Sequence, residues 1–279
     1  MTITVRELTY YPVKGCAGTT VDSAQVVDTG LEHDRTFMVV DAADGAFRSQ
    51  RTHPSMAAIR VEVLDTGAVL ALSADGVEPL HLKVDRDGPR RDVSMFDRPL
   101  GAAADQGDEV AEWFSDALGA KSRLVRVAPG FDRDGWGDTP GKVNFADAHA
   151  VLVASTASLD GLNARITARG DAEPVPMDRF RPNIVLTGND EPHFEDRVRR
   201  MILGSVELAH SVRATRCAVP MVDQRTGRRA GPEPIRTLST YRREPEYKNK
   251  VSFGAKNAVV RGGVVSVGDV VEVAERIGR

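Results

Sequence analysis

The feature that most constrains the fold of this chain is a succession of short runs in which apolar and polar residues alternate. The first of these runs cover residues 2–9, 20–27, 35–41, 57–64, 68–73, 79–84 and 90–95. Turn-forming sequences such as Asp44-Gly45 and Asp75-Gly76 separate them. A period of two puts every second side chain on the same face of a strand. Many short strands at this spacing predict a β-sandwich or a β-barrel.

The later part of the chain mixes strands with a few helices. Residues 108–118 carry an apolar stripe with the helical period and Gly119 ends it, while a second helix begins after Ser155, an N-cap residue. A short helix is predicted over 235–242. Further strands are predicted over 122–127, 150–154, 183–187, 200–209 and 211–219, with a hairpin over 258–273. The predicted fold class is therefore mainly β with some α.

One long segment between these elements, Pro129–Gly141, is rich in Gly, Asp and Pro and carries Trp136. It predicts a long loop, and long loops often border functional sites. A chain of 279 residues is long enough for two domains. We place the boundary near this loop, with an N-terminal domain over residues 1–125 and a C-terminal domain over residues 126–279.

The composition excludes several classes of partner. Lysine and arginine nearly balance aspartate and glutamate, giving a formal net charge of -3, so no bulk attraction to nucleic acid or to an acidic membrane is expected. The chain has no apolar stretch of the ~20 residues that a membrane span needs. Two cysteines cannot form a disulfide framework and fit a reducing compartment. We expect a cytoplasmic protein, monomeric, without nucleic-acid or membrane partners.

Cys217 is the residue with the clearest chemical potential. It follows an alternating apolar run, and Arg213 and Arg216 flank it. Nearby guanidinium groups favour the thiolate, which is the form that ligates metals. The alternative is a buried cysteine that packs as a small hydrophobic residue. For Cys16, the other cysteine, that alternative is the preferred interpretation.

Four short segments, taken together, indicate a family. They are Tyr11-Pro12-Val13-Lys14-Gly15-Cys16, Arg181-Pro182-Asn183, Arg216-Cys217 with the following V-D-Q-R-T-G, and Ser252-Phe253-Gly254-Ala255-Lys256-Asn257. In this order, and across almost the whole chain, they resemble the MOSC family, named for the C-terminal domain of molybdenum cofactor sulfurase. The resemblance is to the amidoxime-reducing components and their bacterial counterparts. It implies an N-terminal β-barrel-like domain followed by a β-barrel MOSC domain.

The resemblance also implies a molybdenum cofactor, a pyranopterin dithiolene that carries a phosphate. Cys217 stands at the position of the thiolate that completes the sulfur ligands of the metal, and a soft thiolate suits that role. Asp223 is a candidate proton source, with a turn-stabilising aspartate as the alternative. Ten positions match or neighbour the family's cofactor-binding positions, each with an ordinary salt bridge or cap as its alternative. They are Lys14, Gly15, Arg35, Ser155, Ser158, Arg181, Asn183, Thr215, Arg216 and Lys256.

The implied function is a molybdenum-dependent oxidoreductase that reduces hydroxylamines, amidoximes and N-hydroxylated bases. No pyridoxal phosphate is involved. Lys256 is a departure, because eukaryotic relatives have a tyrosine there. With no C-x-x-x-x-C-x-x-C motif, electrons are expected from a separate flavin, ferredoxin or cytochrome protein. Arg228, Arg229, Arg242 and Arg243 form either a solvated surface or a docking face for it. The alternative function is a carrier of molybdenum cofactor, or of persulfide sulfur on Cys217, without turnover.

The sequence contains none of the other catalytic or metal-binding motifs considered. The six histidines are scattered, and the chain has neither an H-E-x-x-H nor a C-x-x-C pattern, so a zinc site is not expected. Neither a phosphate-binding P-loop nor a G-x-S-x-G nucleophile motif is present.

Overall fold

Strands dominate the computed structural model, which describes residues 2–278. Its strands are β1 Thr4–Tyr10, β2 Val13–Lys14, β3 Thr19–Val21, β4 Ser23–Val27, β5 Gly30–Leu31, β6 Phe37–Asp41, β7 Arg60–Leu64, β8 Val69–Ala74, β9 Val77–Lys83, β10 Arg90–Met95, β11 Arg98–Asp105, β12 Ser122–Arg126, β13 Val151–Ser155, β14 Ile184–Thr187, β15 Val198–Leu203, β16 Val206–Thr215, β17 Val222–Asp223, β18 Arg228–Arg229, β19 Arg243–Glu244, β20 Lys250–Arg261, β21 Gly263–Ser266 and β22 Val271–Arg276. The α-helices are α1 Asp108–Leu118, α2 Thr156–Arg169 and α3 Ile235–Leu238. The predicted class, mainly β with some α, is confirmed.

The largest sheet has nine strands in the order β22-β15-β16-β20-β13-β14-β1-β3, with β19 added beside β20. A five-stranded sheet has the order β10-β11-β12-β6-β2, and two three-stranded sheets have the orders β21-β4-β5 and β7-β8-β9. Strands β17 and β18 form a small ribbon. Within residues 2–278 the strand order of none of these sheets closes on itself. They are open sheets rather than closed barrels.

The pairing of the central strands explains why distant segments of sequence meet. Strand β14 pairs with β13 in parallel and with β1 in an antiparallel arrangement, with Leu8 opposite Ile184. Strand β13 pairs on its other side with β20, and β20 pairs with β16. The segments after β1, before β14, after β16 and within β20 therefore converge. These are the four segments that the sequence singled out.

Helix α1 ends and helix α2 begins at the capping residues that the sequence predicts. Helix α1 ends at Gly119, whose φ of 61° is the left-handed conformation that a side chain disfavours. Its Trp113 and Phe114 are buried. Helix α2 begins after Ser155, whose side chain accepts a hydrogen bond from the backbone of Ser158. Among the described residues no helix has the length and hydrophobicity of a membrane span.

Several expectations about strands are wrong in detail. Residues 258–273 do not form a hairpin, because β21 pairs with β4 and β22 pairs with β15. The turn between β15 and β16 lies at Gly204-Ser205, earlier than predicted, since Gly204 adopts the left-handed φ of 56°. Strand β11 was not predicted. Strands β1 and β3 join the sheet that is built mainly from later strands, so the division at residue 125 stays a prediction.

Candidate functional site

The convergent segments surround a cavity of about 570 Å³. Its lining contains eight cationic side chains and a single carboxylate, that of Asp147. The eight are Lys14, Arg35, Arg48, Arg51, Arg181, Arg216, Lys250 and Lys256. So large an excess of positive charge in a concave site attracts anions, and guanidinium groups are well suited to phosphate.

Cys217 lies at this cavity, two residues after the end of β16. The side chain is exposed, so the alternative of a buried packing cysteine is wrong for this residue. Its neighbour Arg216 is held in place by two contacts. The backbone N–H of Arg216 donates to the carbonyl of Val251 at 2.8 Å, and its Nη2 donates to the carbonyl of Phe180 at 2.7 Å. The thiol is therefore presented to the cavity from a fixed backbone.

Cys16 has the opposite environment. It is fully buried and packs in an apolar cluster with Val13, Met56 and Ile59. Burial raises the pKa of the Cys16 thiol to about 12. This thiol stays protonated and inaccessible at neutral pH, as the preferred interpretation of the sequence requires. Only one of the two cysteines is available to a ligand in the cavity.

Lys14 and Asp147 form an ion pair at the wall of the cavity. Burial lowers the pKa of Lys14. Burial also acts to raise the pKa of Asp147, but the charges of Lys14 and Lys256 outweigh it and hold that pKa well below its usual range. The Lys14 Nζ lies 5.5 Å from the ring centroid of Phe47 and 6.0 Å from that of Phe96. The lysine is positioned by the ion pair and by cation–π attraction.

Arg35, Asp34 and Asn183 form a buried polar network between the two halves of the chain. Arg35 Nη1 donates to Asp34 Oδ2 at 2.6 Å and to Asn183 Oδ1 at 3.0 Å. The amide nitrogen of Asn183 donates to Asp34 Oδ1 at 3.0 Å and to the Thr9 carbonyl at 3.2 Å. The Asn183 side chain is therefore saturated by protein groups, although it lines the cavity. Its contribution to a ligand is to hold Arg35.

Arg181 is buried and takes the left-handed φ of 55°. Its guanidinium carbon lies 4.1 Å from the ring centroid of Tyr11, and that of Arg35 lies 4.3 Å from the same ring. Its Nη1 donates to Gln224 Oε1 at 3.0 Å. Burial lowers the pKa of Arg181 to about 10, so it remains a cation at neutral pH. Two guanidinium groups that flank one ring form part of the anion-attracting wall.

Lys256 replaces the tyrosine that the resemblance leads one to expect. It is half-buried, and among residues 2–278 its ammonium has no hydrogen-bond or ion-pair partner within bonding distance. Burial lowers the pKa of Lys256 to about 8; the charge of Asp147 opposes this shift, and the charge of Arg216 adds to it. Its N–H donors are therefore free for a ligand. The Nε atom of Arg216 is also buried, and no described residue forms a hydrogen bond with it.

His149 belongs to the lining, although the sequence did not single it out. Its Nε2 contacts the carbonyl of Trp136, which assigns the proton to Nε2 and leaves Nδ1 as an acceptor. Burial lowers the pKa of His149 to about 4, and the charge of Lys256 adds to the effect. At neutral pH this ring is uncharged. Its buried Nδ1 atom has no hydrogen-bond partner in residues 2–278.

The N–H donors left without a partner show whether the phosphate of a pterin cofactor fits this cavity. A phosphate offers several acceptor oxygens, and Lys256 and Arg216 Nε offer donors that no group among residues 2–278 occupies. Gly15, with a φ of 88°, brings the backbone to the cavity, and a Cβ there would lie 2.9 Å from Met56 Cε. Thr215, the last residue of β16, also lines it. The residues present fit an anionic cofactor, and Cys217 offers an exposed thiol at the same cavity.

Three predicted site residues lie elsewhere. Ser155 and Ser158 are outside the cavity lining, and their hydroxyls bind the buried carboxylate of Glu195, at 2.9 Å for Ser155 and at 2.7 and 2.9 Å for Ser158. Asp223 Oδ1 accepts hydrogen bonds from the backbone of Arg225 at 3.0 Å and of Thr226 at 2.8 Å. That arrangement is a turn-stabilising aspartate. The structure therefore does not bring these three residues to the cavity, and they are not part of the site proposed below.

Several lining residues were missed at the sequence level. Phe47, Arg48, Ser49, Gln50, Arg51 and Phe96 come from loops of the N-terminal part, and Ala146, Asp147, Ala148 and His149 precede β13. Gln50 anchors its loop, because its Nε2 donates to the Gly15 carbonyl at 2.7 Å. The run Arg48-Ser49-Gln50-Arg51 was the available signal, since two arginines flank two polar residues there. No sequence motif indicates that this run lies near Cys217 in the fold.

Comparisons with known proteins identify the family that this chain resembles. Residues 2–121 match the model of the MOSC N-terminal beta barrel domain, and residues 140–272 match the model of the MOSC domain. The chain is 31% identical to mitochondrial amidoxime reducing component 2 of Bos taurus, over 96% of this chain and 82% of that protein. It is 29% identical to molybdenum cofactor sulfurase of Arabidopsis thaliana, over 90% of this chain and 32% of that protein.

The chain thus spans about a third of the plant sulfurase, where the match covers 32% of its length. Among solved structures, the YUAD protein from Bacillus subtilis is 10% identical with a TM-score of 0.42, covering 97% of this chain and 94% of that one.

Proposed function

The chain belongs to the MOSC family, and on that premise we propose that it is a molybdenum-cofactor-dependent oxidoreductase that reduces N-hydroxylated compounds. Hydroxylamines, amidoximes and N-hydroxylated bases are the proposed substrates. The observation that carries this proposal is the exposed thiol of Cys217 at a cavity lined by eight cationic side chains and one carboxylate. A soft ligand beside an anion-binding wall matches what a phosphate-bearing metal cofactor needs.

The proposed roles follow from the contacts. Cys217 ligates the metal, and Lys14, Arg35, Arg181, Arg216 and Lys256 hold the cofactor's phosphate and pterin edges. Thr215 and Gly15 line the same cavity and would lie against the bound cofactor. When bound, such a cofactor supplies two-electron redox chemistry at the metal. The protein binds and orients it, and supplies protons.

Few of the side chains that line the cavity can supply protons to the reaction. Asp147 stays ionised because its pKa is held low, and His149 is uncharged with its Nε2 proton already engaged. Lys256, with its pKa lowered to about 8 and no partner on its ammonium within the described part of the chain, is the lining group best able to donate a proton at neutral pH. Asp223, held in its turn, is not included.

Electrons are proposed to come from a separate flavin, ferredoxin or cytochrome protein. The support is a basic edge beside the cavity, formed by the exposed Arg228 and Arg229 and the half-buried Arg51. Arg229 Nη2 donates to the carbonyl of Arg51 at 2.6 Å, and Arg51 lines the cavity. Arg242 is not part of this edge, because its guanidinium pairs with Asp196 and bonds Ser252 at 2.8 Å.

The test is the Cys217→Ser variant made in a host that synthesises the cofactor, with Cys16→Ser as its matched control. Molybdenum, pterin and viologen-driven reduction of benzamidoxime are measured together. Cys217→Ser is expected to lose molybdenum and turnover while keeping wild-type stability, because the side chain is exposed. Wild-type turnover per molybdenum in that variant overturns the ligand assignment. Cys16→Ser is expected to lose stability, not turnover per molybdenum.

A second candidate function is a carrier that holds molybdenum cofactor, or persulfide sulfur on Cys217, without turnover. The match to molybdenum cofactor sulfurase of Arabidopsis thaliana favours this candidate. Mass spectrometry of the purified protein separates the two. A persulfide on Cys217 without molybdenum supports the carrier, and bound molybdenum with turnover supports the reductase.

A further inference from the structure

His210 is a buried histidine in strand β16, and neither of its ring nitrogens forms a hydrogen bond with any residue of 2–278. The residue is 5% exposed. Burial lowers the pKa of His210, and the charge of Asp138 opposes this shift only in part, so the ring is uncharged at neutral pH. A neutral imidazole has one N–H donor and one acceptor nitrogen, and both need partners when they are buried. His210 therefore requires a small polar partner inside the protein.

Asn257 stands directly opposite His210 on the neighbouring strand β20 and is fully buried. Its Nδ2 donates to the carbonyl of Ala255 at 3.0 Å, whereas its Oδ1 has no hydrogen-bond partner in the described part of the chain. Directly opposed residues of neighbouring strands present their side chains on the same face of a sheet. On its other side Asn257 pairs with Val151, two residues after His149. An open acceptor thus lies next to the His210 ring.

His149 joins this pair of side chains to the cavity, which it lines. The residue is 7% exposed, and its Nε2 proton is engaged by the Trp136 carbonyl, so the open Nδ1 atom can only accept a hydrogen bond. Burial lowers the pKa of His149, and the charges of Lys256 and His210 both add to the effect. The ring therefore lies between the buried His210 and the cationic cavity.

Asp138 connects the other end of this row to solvent. Its side chain is 55% exposed, and its Oδ2 atom lies 3.8 Å from His210 Nδ1. The backbone N–H of Asp138 donates to the Ser211 carbonyl at 2.9 Å, and Ser211 Oγ donates to the Thr139 carbonyl at 2.6 Å. The loop that carries Asp138 is therefore fixed against β16 beside His210. We call Asp138, His210, Asn257 and His149 the histidine path.

Water matches the open atoms of the histidine path. Acceptors are His149 Nδ1, Asn257 Oδ1 and one nitrogen of His210, and the other nitrogen of His210 is a donor. A water molecule donates two hydrogen bonds and accepts others, and buried waters occupy sites that offer two to four polar partners. A metal ion is the poorer match, because the residues 2–278 contain no group of three His, Cys, Asp or Glu side chains placed to hold one.

We propose that the histidine path holds a chain of water molecules that carries protons from Asp138 at the surface to the cavity. This inference rests on the proposed function, whose reaction consumes protons. Reduction of an N-hydroxylated compound takes up two electrons and two protons. The N–O bond breaks, one N–H bond and one O–H bond form, and the oxygen leaves as water. The electrons come from the donor protein, and the protons come from solvent along the path.

A path through the protein is useful because ligands fill the cavity. A cofactor and a substrate bound there displace water from the cavity side. Protons consumed in the reaction must then be replaced from a side that the ligands do not cover, and the histidine path reaches the cavity from within the protein at His149. The Trp136 carbonyl fixes the His149 ring so that Nδ1 holds the last water of the chain. His149, His210 and Asn257 are therefore positioning residues.

The first test detects the water and needs neither cofactor nor turnover. In protein labelled at histidine, the ring C–H protons of His149 and His210 are expected to show nuclear Overhauser contacts with long-lived water. His210→Phe and Asn257→Leu each remove polar atoms of the path and are expected to abolish these contacts at His149. His210→Gln keeps a donor and an acceptor and is expected to retain them. Missing contacts in the wild type, or contacts that persist in both apolar variants, overturn the path.

The second test measures proton delivery during viologen-driven reduction of benzamidoxime. His210→Phe is expected to lower kcat by about tenfold or more, at unchanged KM and molybdenum content. Its solvent deuterium isotope effect should rise, because proton delivery becomes the slow step, and His210→Gln should restore both quantities. Asp138→Asn is expected to act in the same direction as His210→Phe. Asp75→Asn, an exposed aspartate in the turn between β8 and β9, is the control.

The two tests separate the path from the proposed function. A fall in kcat of His210→Phe without any change in the isotope effect indicates a structural role and overturns the path. Turnover in a wild type that lacks the water contacts overturns the path alone. Water contacts in a wild type without turnover leave the buried water chain in place and overturn the proposed function.

Discussion

The Arg181 Nη2 atom donates a hydrogen bond to the carbonyl oxygen of Cys16 at 2.6 Å. The two residues are 165 positions apart in the sequence. This bond ties the segment before β14 to the turn after β2, and Gln224 accepts from the other Arg181 nitrogen at 3.0 Å. Arg181 therefore has two roles. It links the segments that form the cavity wall, and it contributes positive charge to that wall.

This double role predicts that Arg181→Ala lowers stability as well as cofactor content. The substitution leaves the buried Cys16 carbonyl without its charged donor, which costs about 1–3 kcal/mol. Arg181→Lys keeps the charge but not the fork of donors, so it is expected to lie between wild type and Arg181→Ala in both measurements. Urea unfolding and pterin content are the readouts. Wild-type stability in Arg181→Ala contradicts this account.

Lys256 offers the cleanest test of the anion-binding wall. Its ammonium has no partner among the described residues, so Lys256→Met removes a charge without orphaning another group. The variant is expected to bind inorganic pyrophosphate about tenfold more weakly, the loss of one charge-assisted contact. Wild-type binding is expected to weaken as pH rises through about 8, where the lysine loses its proton.

In Lys256→Met this pH dependence should be absent. Lys83→Met, an exposed lysine on β9, is the control and should behave as wild type. Isothermal titration calorimetry gives both the affinity and its pH profile. A pH profile that survives in Lys256→Met assigns the titration to another group.

The sequence predicted the elements better than their assembly. Helix α1 and strand β10 have the predicted bounds, because their apolar periods and flanking turn residues are local signals. The ends of β15 and β16 were misplaced, since both strands are apolar enough to run past the turn at Gly204. The pairing of β21 with β4 joins residues far apart in the chain. No local pattern encodes such a pairing.

The sequence also predicted only part of the candidate site. The segments around Lys14, Arg181 and Cys217 were identified because together, in their order along the chain, they resemble the MOSC family. Asp147 and His149 were missed because a single acid or histidine carries no pattern of its own. Ser155 and Ser158 were predicted to bind the cofactor, but a buried carboxylate, that of Glu195, occupies their donors.

Ser155 is therefore predicted to act on stability and not on the cofactor. Ser155→Ala removes the N-cap of α2 and one of the hydroxyls that bind Glu195, with an expected cost of about 0.5–2 kcal/mol. Molybdenum and pterin content per folded molecule should be unchanged. Thermal unfolding and metal analysis on the same sample check both statements. A loss of cofactor without a loss of stability would show that Ser155 belongs to the cofactor site.

Glu195 is predicted to make stability depend on pH. It is fully buried, and burial raises its pKa to about 7. A raised pKa means that the protonated form favours the folded state, so this contribution is present at acidic pH and is lost as pH rises through about 7. Glu195→Gln keeps a neutral group of similar size. Its unfolding free energy should therefore be less dependent on pH between 5 and 8 than that of the wild type, by urea titration at each pH.

The last prediction concerns the basic edge formed by Arg51, Arg228 and Arg229. The exposed pair Arg228 and Arg229 sits on β18, and Arg229 reaches the Arg51 backbone at 2.6 Å. The double variant Arg228→Glu with Arg229→Glu is expected to slow reduction driven by an acidic donor protein, because it reverses the steering charge. Reduction driven by reduced viologen should keep its wild-type rate, since that donor needs no docking. Raising the salt concentration should slow the wild type with the protein donor and leave the double variant nearly unaffected. Equal slowing with both donors would show damage to the cavity, and no slowing with either would place the docking surface elsewhere.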